Sequence, residues 1–513
     1  MNQLAQGILD HPLLARLLAG SESAYAIANR FLARAPIWAA AILFVFALQA
    51  ALTLSHWPWL DEWQALQIAL QSPDQAALFE NLSYEGHPPL WYWMLQAMAQ
   101  LVPTIWVLAA IALLLGLTTQ SLILFKAPFQ RAERLALALT EFILFEFNTI
   151  SRSLTLGVML IILALVLWRS RLAWLPIILL PLCDFLFGVI SGIFMLLRWR
   201  RTGWSWAGFV LWLASSAFAA YTVIPAADMT PAMASRGVLF EIGSFLARSG
   251  TLFLPFQFEL FEPAWNGTAF FLLAPIFWIG FYWFAWRQFA GLPAMRLLLV
   301  GFVLLCAAFS VLVYPLSPRH LMLIAILLIS LLWIARQDHG RKPNAAFRLW
   351  IGANALAGLA TALFAFLVPF DTAHIAARDL DRMGLLESRL IAFPQDDAQG
   401  IPALTGKPVE HPGKPCLQSF VRWDSPVQSR SEEAVKASLE QIGKAKGRSH
   451  IVTNLDLDYL PASLAQKVYR SPRGINGLQY RVYLIARDQP IRPPPTALCI
   501  PGIKQIRALP AGQ

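Results

Sequence analysis

Long apolar runs recur along the first 370 residues of the chain and are separated by short polar segments. The runs occupy residues 39–54, 106–125, 154–168, 269–286, 297–313, 321–334 and 350–368. A helix needs roughly 20 residues to cross about 30 Å of hydrocarbon, and backbone polar groups cannot stay unpaired in lipid. The pattern therefore predicts a polytopic α-helical membrane protein.

The pattern changes after residue 369, where no further run of membrane length occurs. Residues 449–454 and 479–486 alternate between apolar and polar positions, as strands do. Residues 431–444 have helical spacing, with acidic residues early and Lys444 late, an arrangement that suits the helix dipole. Residues 370–513 are therefore predicted to form a small soluble α/β domain, with an extended tail beyond residue 488.

Composition and charge agree with this division. The 513 residues are 57% hydrophobic and only 14% charged, whereas about a quarter of a soluble globule is charged. The net charge of +10 lies in short basic clusters between the apolar runs, which is the pattern of cytoplasmic loops. The basic balance thus indicates a lipid bilayer as the partner and no nucleic acid.

The basic clusters also predict the orientation of the chain. They are Lys126/Arg131/Arg134, Arg169/Arg171, Arg198/Arg200/Arg201, Arg287/Arg296 and Arg336/Arg341/Lys342/Arg348. Placing all of them inside gives about eleven transmembrane helices, provided that residues 90–102 form an interfacial helix and that residues 174–197 form a short hairpin broken at Pro176 and Pro181. Residues 1–36 are then a cytoplasmic amphipathic lead-in rather than a cleavable signal peptide. Residues 37–369 form the transmembrane domain.

In this orientation the first loop, residues 56–88, and residues 370–513 lie on the external side of the inner (plasma) membrane. Cys416 and Cys499 then lie in a compartment that permits disulfides, and we expect them to be bonded. Cys183 and Cys306 lie in apolar segments and are expected to be buried thiols.

The first external loop opens with an acidic pair, Asp61 and Glu62, next to tryptophans at the water–lipid boundary. A carboxylate at this place can act as a general base toward a hydroxyl group. The alternative is structural, with Asp61 capping a helix that starts at Glu62 and Gln64 completing a capping box.

The same loop ends in Tyr-Glu-Gly-His-Pro-Pro-Leu-Trp-Tyr, which contains Glu85 and His87. These two side chains can bind a divalent metal or hydrogen-bond a sugar. The alternative is a polar helix entrance at headgroup level, because two prolines suit the first turn of a helix. No other cofactor is indicated.

The order of these motifs resembles the GT-C glycosyltransferases, in the bacterial branch related to protein O-mannosyltransferases and lipid A aminoarabinose transferases. The resemblance covers roughly residues 57–320. It includes Ile-Ser-Arg152-Ser-Leu, which lacks the tyrosine of that branch, and Ser-Pro-Arg319-His320, where histidine replaces an aromatic residue.

The resemblance implies an inverting transferase that takes a sugar from a polyprenyl-phosphate donor at the external face. Asp61 matches the family's catalytic acid, with Glu62 beside it, and Glu85 and His87 match its acceptor-side or metal-side motif. Arg152 and Arg319 match basic positions that hold donor phosphate, with His320 beside Arg319. For each arginine the structural alternative is snorkelling at the interface.

The acceptor is a glycan, a lipid or a protein of the cell envelope, which the sequence does not distinguish. Asp184, in a turn between apolar segments, is a further candidate because intramembrane carboxylates are often functional. Two other functions stay open. A secondary transporter would place its charges near the midplane and show paired repeats. A polymerase or ligase of lipid-linked glycans would share the donor but lack the acidic pair.

Overall fold

Helices dominate the structure, a computed structural model that describes residues 12–230, 237–252, 274–426, 428–500 and 506–508. Among these residues five helices are long and apolar enough to cross a membrane, namely Ala35–Ser55, Thr104–Lys126, Pro293–Leu312, Pro318–His339 and Ala345–Leu367. Their length and composition agree with a membrane-embedded protein. The predicted runs 39–54, 106–125, 297–313, 321–334 and 350–368 all fall on them.

The helices follow one another with short connections. They are α1 (Pro12–Leu32), α2 (Ala35–Ser55), α3 (Leu60–Gln71), α4 (Gln75–Leu82), α5 (Leu90–Ala99), α6 (Val107–Lys126), α7 (Arg131–Leu139), α8 (Ser153–Val166), α9 (Trp174–Leu179), α10 (Phe185–Thr202), α11 (Trp206–Thr222), α12 (Val238–Ser249), α13 (Ala274–Gln288), α14 (Pro293–Leu312), α15 (Pro318–His339) and α16 (Ala345–Leu367). The predicted run 269–286 is described only from residue 274. The start of the lead-in and parts of the loop near 225–266 lie outside the described residues.

Two irregular segments bear on the expected topology. Helix α5 has only ten residues, which is too short to span a bilayer and agrees with the predicted interfacial helix. Helix α9 passes through a short 3-10 turn at Leu180–Leu182, and the chain reverses at Asp184, whose side chain accepts a hydrogen bond from the backbone N–H of Leu186. The expected hairpin is therefore present.

Helix α15 lies at the centre of the helical part. All its residues from 321 to 335 are buried, and it packs against α8, α14 and the turn that follows α12. Both of its ends are polar, since it begins Ser317-Pro-Arg-His and ends Arg-Gln-Asp-His. A buried helix of this kind fixes the distance between two polar ends of the bundle.

The basic clusters meet at one of these ends. Arg201 pairs with Asp338 at 3.3 Å, and Arg336 donates to the carbonyl of Pro128 at 3.0 Å. Arg348 pairs with Glu133 at 2.8 Å. Segments far apart in the sequence thus bring their basic residues to the same end, as the orientation argument predicted.

The chain after α16 forms a six-stranded sheet with three helices. The strands are β1 (Leu390–Ala392), β2 (Val409–Glu410), β3 (Leu417–Gln418), β4 (Ser449–Thr453), β5 (Ala465–Arg470) and β6 (Arg481–Ile485), in the order β3-β2-β1-β4-β6-β5. Strand β1 is parallel to β2 and β4, and the other pairs are antiparallel. The helices are α17 (Ala373–Arg382), α18 (Gly400–Thr405) and α19 (Glu432–Lys446). The predicted helix 431–444 and both predicted strands are confirmed.

The sheet is covered on both faces. Ile391, Ile451 and Tyr483 face a core that includes Val435 and Leu439 of α19. The alternate residues, such as Ala392 and Val452, belong to the large core that continues into the membrane helices. The α/β domain is therefore packed onto the helical part rather than tethered to it.

The expected disulfide is present. Cys416 and Cys499 are bonded, with their Cα atoms 5.0 Å apart and a sequence separation of 83. Cys183 and Cys306 are free and buried. The bond holds the irregular segment after β6 against the edge of the sheet, where Leu498 bridges to Leu417; the chain beyond residue 508 lies outside the described residues.

Candidate active site

The acidic pair of the first loop lies at the start of α3. The helix begins at Leu60, with Trp59 as the N-cap. The Glu62 carboxylate accepts a hydrogen bond from the Trp59 backbone N–H at 3.1 Å, so Glu62, at the third helical position, supplies the cap. The structural alternative, in which Asp61 caps a helix starting at Glu62, is therefore wrong, because the helix starts two residues earlier.

Asp61 and Glu62 point to different surroundings. The side chain of Glu62 is completely buried, and it also accepts from the backbone N–H of Ser151 at 2.6 Å and pairs with His56 Nε2 at 2.8 Å. The side chain of Asp61 is 33% exposed. Of the two carboxylates, only that of Asp61 faces water.

Two arginines converge on Asp61. Nη1 of Arg152 and Nη2 of Arg319 each lie 2.7 Å from Oδ2 of Asp61. The guanidinium groups are 11% and 12% exposed, and that of Arg319 also lies over the ring of Trp59, 5.1 Å from its centroid. Three segments separated by up to 258 residues in sequence therefore meet at one carboxylate oxygen.

Helix ends explain why the arginines are at this place. Arg152 is the N-cap residue of α8, just after a buried π-helical turn, Phe142–Glu146, and Arg319 lies in the first turn of α15. Both helices start on the side where α3 starts, because their apolar bodies run into the bundle. Neither arginine points to lipid headgroups as the snorkelling alternative required.

Some guanidinium N–H groups at this site are not used in hydrogen bonds. Within the described residues, Nε and Nη1 of Arg319 are buried and make no hydrogen bond. The two guanidinium groups share the one carboxylate of Asp61, so two positive charges face a single negative charge at this contact. A buried arginine with unused N–H groups and excess positive charge favours binding of an anion.

Glu85 contacts Gln64 of α3, whereas Asp61 contacts the two arginines. Its carboxylate accepts a hydrogen bond from Gln64 Nε2 at 2.5 Å. Burial raises the pKa of Glu85 to about 7, and the Gln64 hydrogen bond opposes this shift. The carboxyl group is thus poised between its neutral and charged forms near neutral pH.

His87, Asp184 and His320 complete the polar end of the bundle. Nε2 of His87 lies 3.8 Å from Oδ2 of Asp184, and His320 Nδ1 lies 2.7 Å from the hydroxyl of Ser317. His320 interacts electrostatically with Arg319, His87 and Arg152. The candidate residues of four separate segments are therefore neighbours.

A metal at Glu85 and His87 has little support in the geometry. The His87 ring contacts the backbone carbonyl of Glu85 at 3.0 Å, while the Glu85 carboxylate bonds to Gln64. In the part of the chain that the structure describes, no group of three or more histidine, cysteine or acidic residues is arranged to hold a metal ion. The pair by itself offers too few ligands for a closed site.

The sequence did not predict the contacts between the first loop and the α/β domain. The side-chain amide of Gln64 donates to the carbonyl of Val421 at 2.7 Å and accepts from its N–H at 2.9 Å. Arg422 pairs with Glu80 at 2.7 Å and lies over the ring of Tyr84. These contacts fix the first loop to the α/β domain, and they place both on the same side of the helical part.

Comparisons of the chain with protein-family models, with curated proteins and with solved structures find no match.

Proposed function

We propose that the protein is an inverting glycosyltransferase that moves a sugar from a polyprenyl-phosphate donor to an acceptor of the cell envelope. The observation that carries the proposal is the Asp61 carboxylate held by two arginines, at 2.7 Å each, at a partly exposed end of a bundle of apolar helices. A lipid-borne donor needs this combination, because its tail stays in the bilayer while its phosphate and sugar are at the water boundary.

The arginines bind the donor phosphate in this proposal. Arg319 has N–H groups available, and Arg152 adds a second positive charge next to it. A phosphate group that takes over these donors also releases the Asp61 carboxylate, whose oxygen is otherwise occupied by both guanidinium groups. Donor binding thereby leaves the Asp61 carboxylate free to act as the base.

The transfer step follows. Asp61 takes the proton of an acceptor hydroxyl while that oxygen forms a bond to the anomeric carbon of the sugar. The bond between that carbon and the phosphate oxygen breaks on the opposite face, so the configuration inverts. The electron pair leaves with the polyprenyl phosphate, and the guanidinium groups stabilise its increased negative charge.

The surrounding residues hold this machinery in place. Glu62 bonds to the backbone N–H of Ser151, next to Arg152, and it therefore fixes the distance between the start of α3 and the start of α8. We assign Glu62 a positioning role and keep Asp61 as the base. We assign Glu85 and His87 to the acceptor side of the site because the resemblance implies that role for their motif.

We also propose that the chain crosses the inner membrane about eleven times, with the site and the α/β domain on the external side. The contacts among the basic clusters at one end, together with the contacts of the first loop and the α/β domain at the other, support this topology.

The test compares Asp61→Asn with Asp74→Asn in a strain that lacks the chromosomal gene. Asp74 lies in the same loop and accepts from the backbone N–H of Ala77 at 2.8 Å as the N-cap of α4, a role that asparagine fills equally well. We expect Asp61→Asn to reduce transfer by a factor of about a hundred or more at normal abundance. Asp74→Asn should transfer at the normal rate.

Mass spectrometry of envelope glycans and of lipid-linked sugars measures the outcome. Deletion should remove one glycan product and raise a polyprenyl-phosphate-linked sugar, and wild type should restore both. Normal transfer by Asp61→Asn would show that the base is another residue. An unchanged pool of lipid-linked sugar in the deletion strain would contradict the proposed reaction class and favour a transporter.

A further inference from the structure

A cavity of about 520 Å³ lies at the basic end of the bundle, opposite the candidate active site. Its polar lining comprises Arg169, Arg200, Arg201, Asp338 and His339. These residues come from the ends of α8, α10 and α15, so the cavity lies between helices. The proposed glycosyl transfer uses none of them.

The charges of the cavity are unbalanced. Asp338 is the one carboxylate of the lining, and it is already engaged by Arg201 at 3.3 Å and by the Trp168 indole N–H at 3.1 Å. Arg169 donates to the backbone carbonyl of Gln337, and the Arg200 side chain makes no hydrogen bond within the described residues. Two positive charges therefore remain for an anionic group.

A helix start adds to the positive field. The first residues of α14, Pro293, Ala294 and Met295, line the cavity. The positive end of the dipole of this 20-residue helix thus points at the same space.

The remaining walls are apolar, and exposed tryptophans lie close to the cavity in the sequence. Leu197 and Ile334 line its inner part. Trp199, in the last turn of α10, and Trp206, the first residue of α11, are 48% and 70% exposed. Exposed tryptophans mark the membrane interface, at the level of the lipid headgroups.

We propose that this cavity binds the phosphodiester headgroup of an anionic phospholipid. Arg169 and Arg200 hold the phosphate together with the start of α14, and the glycerol and acyl region lies along Leu197 and Ile334. Basic pockets between membrane helices on the cytoplasmic side suit anionic headgroups. The proposal rests on the membrane location of the helices and is independent of the transferase reaction.

The test uses the full chain purified in neutral detergent and native mass spectrometry with dioleoyl phosphatidylglycerol or dioleoyl phosphatidylcholine. Arg200→Gln and the double variant Arg169→Gln, Arg200→Gln remove positive charge from the cavity. Arg171→Gln is the matched control, because Arg171 is exposed at the same end but does not line the cavity. Thermal unfolding checks that each variant is folded.

We expect wild type and Arg171→Gln to retain phosphatidylglycerol in preference to phosphatidylcholine. Each arginine removed should weaken retention about fivefold, as expected for a basic residue near an anionic headgroup. If the double variant does not fold, the comparison of wild type with Arg200→Gln tests the proposal by itself. The Arg200 side chain makes no hydrogen bond within the described residues, so its loss should leave the fold intact.

Three results would overturn the proposal. Equal retention of phosphatidylglycerol by wild type and Arg200→Gln would place the lipid elsewhere. Equal retention of both lipids would remove the role of charge. Displacement of phosphatidylglycerol by an excess of inorganic phosphate would make the cavity a site for free phosphate rather than for a lipid.

Discussion

Oδ2 of Asp61 accepts a hydrogen bond from Arg319 and forms an ion pair with Arg152, so one oxygen atom contacts both guanidinium groups. The carboxylate is engaged by both arginines, and two positive charges face one negative charge at this oxygen. An anion that binds the arginines changes both conditions at once. In the proposed reaction the general base and the anion site are thus coupled through one oxygen atom, and changes at either arginine should affect donor binding.

The first prediction concerns the planar fork of Arg319. Arg319→Lys keeps the charge but loses the donors that lie unused next to Asp61, so the KM for the donor should rise about tenfold or more, as for the loss of a charged hydrogen bond. Arg382→Lys, at an exposed position of the same α/β side, should leave the KM unchanged. Steady-state kinetics over a range of donor concentrations measures both. An unchanged KM for Arg319→Lys would remove this residue from the donor site.

At the scale of an element, close packing of backbones fixes α16 against the rest of the bundle. A Cβ atom built on Gly358 would lie 2.1 Å from the carbonyl oxygen of Leu139 and 2.8 Å from the N–H nitrogen of Glu141. These are main-chain atoms at the end of α7, directly before the π-helical turn. A side chain has no room there unless a helix moves.

The second prediction compares two glycines in apolar helices. Gly358→Ala should lower the unfolding free energy by about 1–3 kcal/mol, the usual cost of overpacking, and should lower the Tm. Gly301→Ala in α14 is the matched change, because nothing lies within 4 Å of its Cβ position. That variant should unfold at or slightly above the wild-type temperature. Thermal unfolding in detergent measures both, and equal Tm values would contradict the close approach.

At the scale of the whole molecule, the two ends of the bundle differ in charge and in what covers them. The basic clusters gather at one end, and the first loop and the α/β domain cover the other. Because Gln64 and Arg422 join the loop to the domain, the two cannot lie on opposite sides of a membrane. The proposed topology puts both on the external side, and it raises the question of how to test this orientation.

The third prediction answers this question. Gln75→Cys and Lys407→Cys should both react with an impermeant maleimide in intact cells whose outer membrane has been permeabilised. Lys342→Cys, in the connection before α16, should react only after lysis. The native cysteines contribute little background, since two are buried and two are bonded to each other. Reaction at Lys342 in intact cells would reverse the proposed orientation.

Sequence patterning predicted the parts of this fold that depend on local order. The apolar runs, the hairpin that reverses at Asp184 and the helix at residues 431–444 follow from spacing and capping, which neighbouring residues decide. The resemblance supplied Asp61, Arg152 and Arg319 as candidates. Their convergence on one oxygen atom could not be derived, because it depends on how α3, α8 and α15 pack.

The capping of α3 shows where local reasoning failed. Asp61 and Glu62 are both chemically able to cap a helix, and the spacing favoured a start at Glu62. The start at Leu60 is stabilised by Glu62 itself, through Trp59 and through Ser151, which is 89 residues away. A contact of that range leaves no pattern in a single sequence.

The link between Gln64 and Val421 limits which substitutions these two positions can accept during evolution. A primary amide both donates to and accepts from the main chain of residue 421, so the side chain at 421 is not part of the bond. The side chain of Val421 is itself buried, so substitutions at residue 421 are limited to apolar side chains of similar size. Position 64 has less freedom still, because glutamate cannot donate and asparagine is one methylene shorter. Divergent descendants of this chain should therefore keep the amide at position 64 and an apolar residue at position 421.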